Sequence, residues 1–119
     1  MIGFLTDRLR SVRYAMSGLI YVLRSQHNAR VHLGITLAVI AAGYWFGLNR
    51  AEWLWIALAI ALVWIAEVMN TGFEYLCDVV SPEFSKSVEK AKDIAAGAVL
   101  IASVFALITG VIVFLPYVS

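Results

Sequence analysis

Residues 53–80 read WLWIALAIALVWIAEVMNTGFEYLCDVV, and this stretch decides the fold. It exceeds the roughly 20 residues that cross a bilayer as a helix. Its first half, Trp53 to Ala66, carries no charge, and polar residues enter only later, at Glu67, Asn70, Glu74 and Asp78. At about 100° per residue, their spacing places all four within roughly 80° of one another, on one stripe of a helix. Ionisable groups inside a bilayer are costly and face a protein interior or a reaction site. The stripe is therefore the strongest functional signal in the chain.

Two further apolar spans flank this one. The first covers about 31–48, with Leu33 to Leu48 as its apolar body, and the third covers about 94–118 and has no charge. The link Asn49 to Glu52 is so short that the first two spans must form an antiparallel hairpin. Ser81 to Asp93 is a longer polar connection. Within it, Ser81-Pro82 predicts a helix start, with Ser81 as N-cap and Pro82 in the first helical position. Residues 1–119 read as one domain: an all-α membrane protein of three transmembrane helices preceded by an amphipathic segment.

That segment, about 2–27, repeats Leu5, Leu9, Val12, Met16, Leu19 and Leu23 in steps of four and three, with arginines elsewhere. The pattern predicts a helix lying in the headgroup layer, apolar face down. The alternative is a helix packed on the protein's own core. Arg8, Arg10, Arg13, Arg24 and Arg30 precede the first span, and Lys86, Lys90 and Lys92 follow the second, whereas the first loop holds only Arg50. The positive-inside rule therefore predicts a cytoplasmic N-terminus and second loop. Trp45, Trp53 and Trp55 would then form an aromatic belt at the outer boundary. Gly34, Ala38 and Ala42, and Ala98, Ala102, Ala106 and Gly110, form small-residue ladders that let helices approach closely. Three thin spans enclose a site poorly, so a homo-oligomer is expected. The ladders fit packing within one chain equally well.

Composition narrows the function. Hydrophobic residues make up 62% of the chain and the net charge is only +1, which argues against a nucleic-acid partner. Cys77 is the only cysteine, so there is no intrachain disulfide and no cysteine cluster for a metal. The arginine-bearing N-terminus reads as no cleavable signal.

Carboxylates, an amide and Lys92 converge at one predicted interface. Carboxylates suit Mg²⁺, which shares itself with substrate phosphates. A lysine neutralises phosphate oxygens, and a deeper carboxylate can take a proton from a hydroxyl. These are the parts that phosphoryl transfer needs. The plain structural readings are also clear. The stripe would be the polar face of a helix emerging into the cytoplasm, which accounts for Asp78 and Glu74 better than for Glu67 and Asn70. Lys92 would be an interfacial anchor and Asp93 a helix-dipole partner. His27 and His32 would sit at the interface, and Cys77 would only pack.

The run Glu67-Val68-Met69-Asn70-Thr71-Gly72-Phe73-Glu74, with Asp78 and then Ala91-Lys92-Asp93 ahead of an apolar helix, resembles the prokaryotic diacylglycerol kinase family, which includes undecaprenol kinases. The likeness extends from about Tyr14 to the end. It implies a homotrimer of three-span protomers, each with a surface helix, in the bacterial inner membrane with the active site cytoplasmic. It implies ATP as phosphate donor, Mg²⁺, and a membrane lipid alcohol, undecaprenol or diacylglycerol, as acceptor. By resemblance, Glu67 is the catalytic base with Asn70 beside it, and Glu74 is a metal-binding carboxylate. Tyr14, Asp78, Glu83, Lys92 and Asp93 fall at nucleotide- and phosphate-binding positions. This chain has neither a P-loop nor eukaryotic kinase motifs, as in that family.

One position departs from the family pattern. Where the family carries a second metal-binding glutamate, this chain has Gln26. Glutamine keeps an oxygen and loses the charge. The change implies a weaker metal site, another ligand in its place, or an engineered Glu→Gln substitution. Asn28, Arg30 and His32 resemble the run found in undecaprenol kinases, which favours that acceptor. Two rival readings follow from the same residues: an inactive scaffold of this fold, and an ion or proton conduit. A conduit needs polar groups across the bilayer, and here the acids gather at one end.

Overall fold

The computed structural model describes residues Met1–Ser119. The chain is all helical: α1 (Ile2–Ser25), α2 (His27–Phe46), α3 (Arg50–Val80) and α4 (Lys86–Val118). The last three are long and apolar enough to cross a membrane. Only 12 of 119 residues are buried, so most of the apolar surface is left for lipid or another copy to cover.

Gln26 alone turns α1 into α2, with extended backbone at φ −114° and ψ 118°. The corner is sealed by Arg30, whose guanidinium donates to the carbonyls of Leu23 at 3.0 Å and Arg24 at 2.9 Å. These are last-turn acceptors that a helix leaves unpaired. Ala29 is fully buried in the corner. The molecule measures 52 × 48 × 21 Å, a flat, broad shape consistent with α1 running out sideways from the other helices. Its apolar residues Leu5, Leu9, Val12 and Met16 are exposed, and only Val22, near its end, is buried. α1 thus does not pack along the core, and its apolar face is open, as a surface helix requires.

The α2–α3 turn is built locally. Gly47 adopts a left-handed φ of +71°, and the N–H groups of Gly47 and Leu48 both reach the carbonyl of Gly43. That is a glycine helix stop. Asn49 and Glu52 then form a reciprocal capping box, with both hydrogen bonds at 2.9 Å. The Trp53 ring lies over Gly43, so Trp53 serves the hairpin itself, while Trp45 and Trp55 stay exposed.

α3 and α4 form the principal antiparallel pair. Leu48, Ile56 and Val113 make its small buried core, flanked by Val39, Trp53, Ile60 and Phe114. Polar contacts close both ends: Asp78 with Lys92 at one, and Glu52 with the Tyr117 hydroxyl at the other. The two contacts lie about 39 Å apart along α3 at 1.5 Å per residue, bracketing a bilayer core of about 30 Å.

The expected helix start at Ser81-Pro82 is wrong. Ser81 is instead the C-cap of α3, and α4 is capped by Ser85, whose Oγ accepts from the Val88 N–H. The proline disfavours helical backbone at Ser81, which sits at φ −138° and ψ 83°. Lys92 and Asp93 consequently lie inside α4 and not at its start, and the first-turn acid is Glu89. The helix-dipole reading of Asp93 falls with this.

Candidate active site

The core face of α3 delivers Glu67. The buried residues of that helix are Ile56, Ala59, Val63, Glu67 and Thr71, and their steps of three and four place them on one face. The carboxylate therefore continues an apolar packing face, with 3% of the side chain exposed. A charge so placed needs a polar partner. His32 of α2 supplies the nearest one, its Nε2 standing 3.6 Å from Glu67 Oε2. Thr71 Oγ1 donates to the Glu67 backbone carbonyl at 2.9 Å and so is not used on the carboxylate.

α2 is registered against α3 one turn further along. Trp64 Nε1 donates to Thr36 Oγ1 at 3.0 Å. His32 and Thr36 share a face at i, i+4, as Trp64 and Glu67 do at i, i+3, so the two contacts form consecutive rungs between antiparallel helices. Neither rung was expected from the sequence. The only local signal for His32 was its place in the Asn-x-Arg-x-His run. The structure divides that run's work, with Arg30 capping α1 and His32 approaching Glu67.

Asn70 lies one turn beyond Glu67. Its Oδ1 is buried and has no hydrogen-bond partner, which leaves an acceptor available to a donor from outside the chain. Glu74 is half-buried on the next turn. At the end of the stripe, Lys92 Nζ lies 2.6 Å from Asp78 Oδ1. Lys92 precedes the apolar span of α4. Its pKa is raised above the ordinary 10.5 by the hydrogen bond to Asp78; partial desolvation opposes this, and the charges of Asp78 and Glu74 add to it. Glu67 and Asp78 are about 16 Å apart along α3.

The other candidates are more scattered. Gln26 occupies the α1–α2 corner and shares no hydrogen bond with Glu74. The edge-to-face contact of Tyr21 with Tyr75, at 5.8 Å and 88°, and the His32–Glu67 approach hold the two sides of that corner against α3. Tyr14 is exposed on α1. Glu83 is exposed in the α3–α4 loop, where its carbonyl accepts from Ser81. Asp93 is exposed on α4 and forms no ion pair.

No group of three His, Cys, Asp or Glu side chains converges to hold a metal ion. Glu74 provides a hard oxygen donor, whereas Asp78, one turn on, is already paired with Lys92. One carboxylate does not make an enclosed protein cage, but it fits a divalent ion whose other ligands are water and phosphate. Beside the stripe runs an apolar groove of about 520 Å³ between α2 and α4 over α3, lined by His32, Val39, Ile60, Val63, Ala106 and Gly110 among others. One end of it therefore opens at the histidine facing Glu67.

Comparison with known proteins bears on this arrangement. Residues 13–114 match the family described as prokaryotic diacylglycerol kinase. A diacylglycerol kinase of Synechocystis sp. is 38% identical over 109 residues, which are 91% of this chain and 62% of that protein. An undecaprenol kinase of Bacillus subtilis is 32% identical over 107 residues, 90% of this chain and 87% of that one. A diacylglycerol kinase of Escherichia coli is 31% identical over 77 residues, 65% and 62% of the two chains. The chain thus spans less than two thirds of both diacylglycerol kinases and most of the undecaprenol kinase.

Proposed function

This chain belongs to the prokaryotic diacylglycerol kinase family, and on that premise we propose that it transfers the γ-phosphate of ATP to the hydroxyl of a membrane lipid alcohol. The observation that carries this reading is the buried Glu67 carboxylate, which faces His32 of the apolar groove and lies on the same helix stripe as Asp78 of the Asp78–Lys92 pair. The groove suits a long apolar chain and the stripe suits phosphates, and Glu67 stands between them.

In this reading Glu67 takes the proton from the lipid hydroxyl as its oxygen attacks the γ-phosphorus. The bond to the β,γ-bridging oxygen breaks and ADP leaves. Lys92 offsets the phosphate charge, and Asp78 holds the ammonium in place. Asn70, one turn from Glu67, offers its free carbonyl oxygen to a donor on the incoming substrate other than the reacting hydroxyl. Glu74, with Gln26 from the α1–α2 corner, would hold Mg²⁺, which offsets charge on the transferring phosphoryl group. Tyr14, Glu83 and Asp93 belong to the nucleotide side.

Undecaprenol is the proposed acceptor. It is supported by the Asn28, Arg30 and His32 run and by the 87% coverage of the undecaprenol kinase relative. We also infer a homotrimer in a bacterial inner membrane, with the α3–α4 loop cytoplasmic. The uncovered apolar surface and the lysines Lys86, Lys90 and Lys92 in the first two turns of α4 support it. The testing experiment is phosphate transfer from ATP to undecaprenol and to diacylglycerol by the protein in lipid, with Gln26→Glu beside the parent. Transfer by neither protein to either lipid would overturn the reading.

A further inference from the structure

We propose that His32 is the residue that positions the Glu67 carboxylate for the reaction, an inference that rests on the reading of Glu67 as base. Glu67 is almost wholly buried, and its carboxylate receives no hydrogen bond from its own helix. A buried carboxylate without donors has no preferred orientation and pays the full cost of desolvation. The only ring nitrogen that faces it belongs to His32, at 3.6 Å. That distance is a few tenths of an ångström beyond a hydrogen bond, so a small ring adjustment makes one.

Two independent contacts hold the histidine where this adjustment is available. One turn towards the far end of α2, Thr36 accepts from Trp64 of α3 and fixes the register of the two helices. Towards the start of α2, Arg30 ties the helix to the end of α1 through two carbonyls. His32 is thus fixed from both sides, and it both lines the apolar groove and faces the carboxylate. An acceptor hydroxyl arriving along the groove meets a carboxylate already turned by the imidazole. Such alignment matters because small misplacements of a reacting group cost rate steeply.

The test compares three variants of the full chain in lipid. Glutamine places its N–H near the position of Nε2, asparagine holds a donor too short to reach, and leucine keeps bulk without a donor. Positioning predicts that His32→Leu and His32→Asn lower kcat by on the order of 10- to 100-fold, with KM for ATP unchanged. His32→Gln should recover most of the rate. Equal impairment of all three, or a parental kcat in His32→Leu, would overturn the inference.

A second readout needs no activity. Melting temperatures of His32→Leu, Glu67→Gln and the double variant form a cycle. Non-additive shifts are expected of a coupled pair, and additive shifts would overturn the inference. If the parent and Gln26→Glu transfer phosphate to no lipid, the kinase reading fails, and this cycle alone still decides the pairing.

Discussion

Asp78 on α3 and Lys92 on α4 meet at 2.6 Å, the shortest tie between the two longest helices at the end that carries the polar stripe. The contact restrains an otherwise mobile ammonium and leaves two of its protons for other acceptors. If those acceptors are phosphate oxygens, Lys92→Met lowers kcat/KM by about 10²–10³-fold. Asp78→Asn, which frees the lysine without removing it, mainly raises KM for ATP. Steady-state kinetics in lipid check this. A Lys92 that only anchors the helix would leave both parameters close to parental.

Gln26 tests the metal side of the account. Restoring a charge by Gln26→Glu should lower the half-saturating Mg²⁺ concentration by on the order of tenfold. Titration of activity with Mg²⁺ is the check, and an unchanged midpoint would remove position 26 from the metal site.

Gly43 is where the α2–α3 hairpin is tightest. A Cβ there would stand 2.5 Å from the Trp53 ring, and this bulky ring also packs at a 50° tilt against Tyr44, with centroids 4.9 Å apart. Gly43→Ala should therefore destabilise the protein by about 1–3 kcal/mol. Thermal unfolding in detergent measures this, and Gly43→Ala with Trp53→Leu should recover part of the loss.

Glu52 stands just before the apolar part of α3. Its pKa is lowered from the ordinary 4.5, chiefly by the Tyr117 hydroxyl and then by the Asn49 N–H. A carboxylate with a depressed folded value stabilises the fold above its unfolded pKa and loses that contribution as pH falls through the folded one. Melting temperature should therefore drop below about pH 4.5, and Glu52→Gln should remove that part of the acid limb while lowering stability at neutral pH. An acid limb unchanged in Glu52→Gln would assign it to other carboxylates.

What was legible in the sequence depended on how local the cause was. Glu67, Asn70, Glu74 and Asp78 could be placed on one face because helical periodicity alone sets that. The open apolar face of α1 followed from the same rule. The Asn49–Glu52 capping box has an equally local cause, although from the sequence these residues were read only as a short link. The pairing of Glu67 with His32, of Trp64 with Thr36 and of Glu52 with Tyr117 was not legible, because each depends on the register between helices. The start of α4 was misplaced because Ser81-Pro82 satisfies a helix-start pattern, yet the chain uses it to end α3. Ser85 takes the cap.

The central claim is that Glu67 is the base of a lipid kinase. The most direct measurement is the rate of phosphate transfer from ATP to undecaprenol in lipid, with Glu67→Gln beside the active parent or Gln26→Glu protein. The account predicts transfer that falls by about 10²–10⁴-fold in Glu67→Gln, with the variant folded and still binding ATP. Transfer by Glu67→Gln at the unsubstituted rate would contradict it.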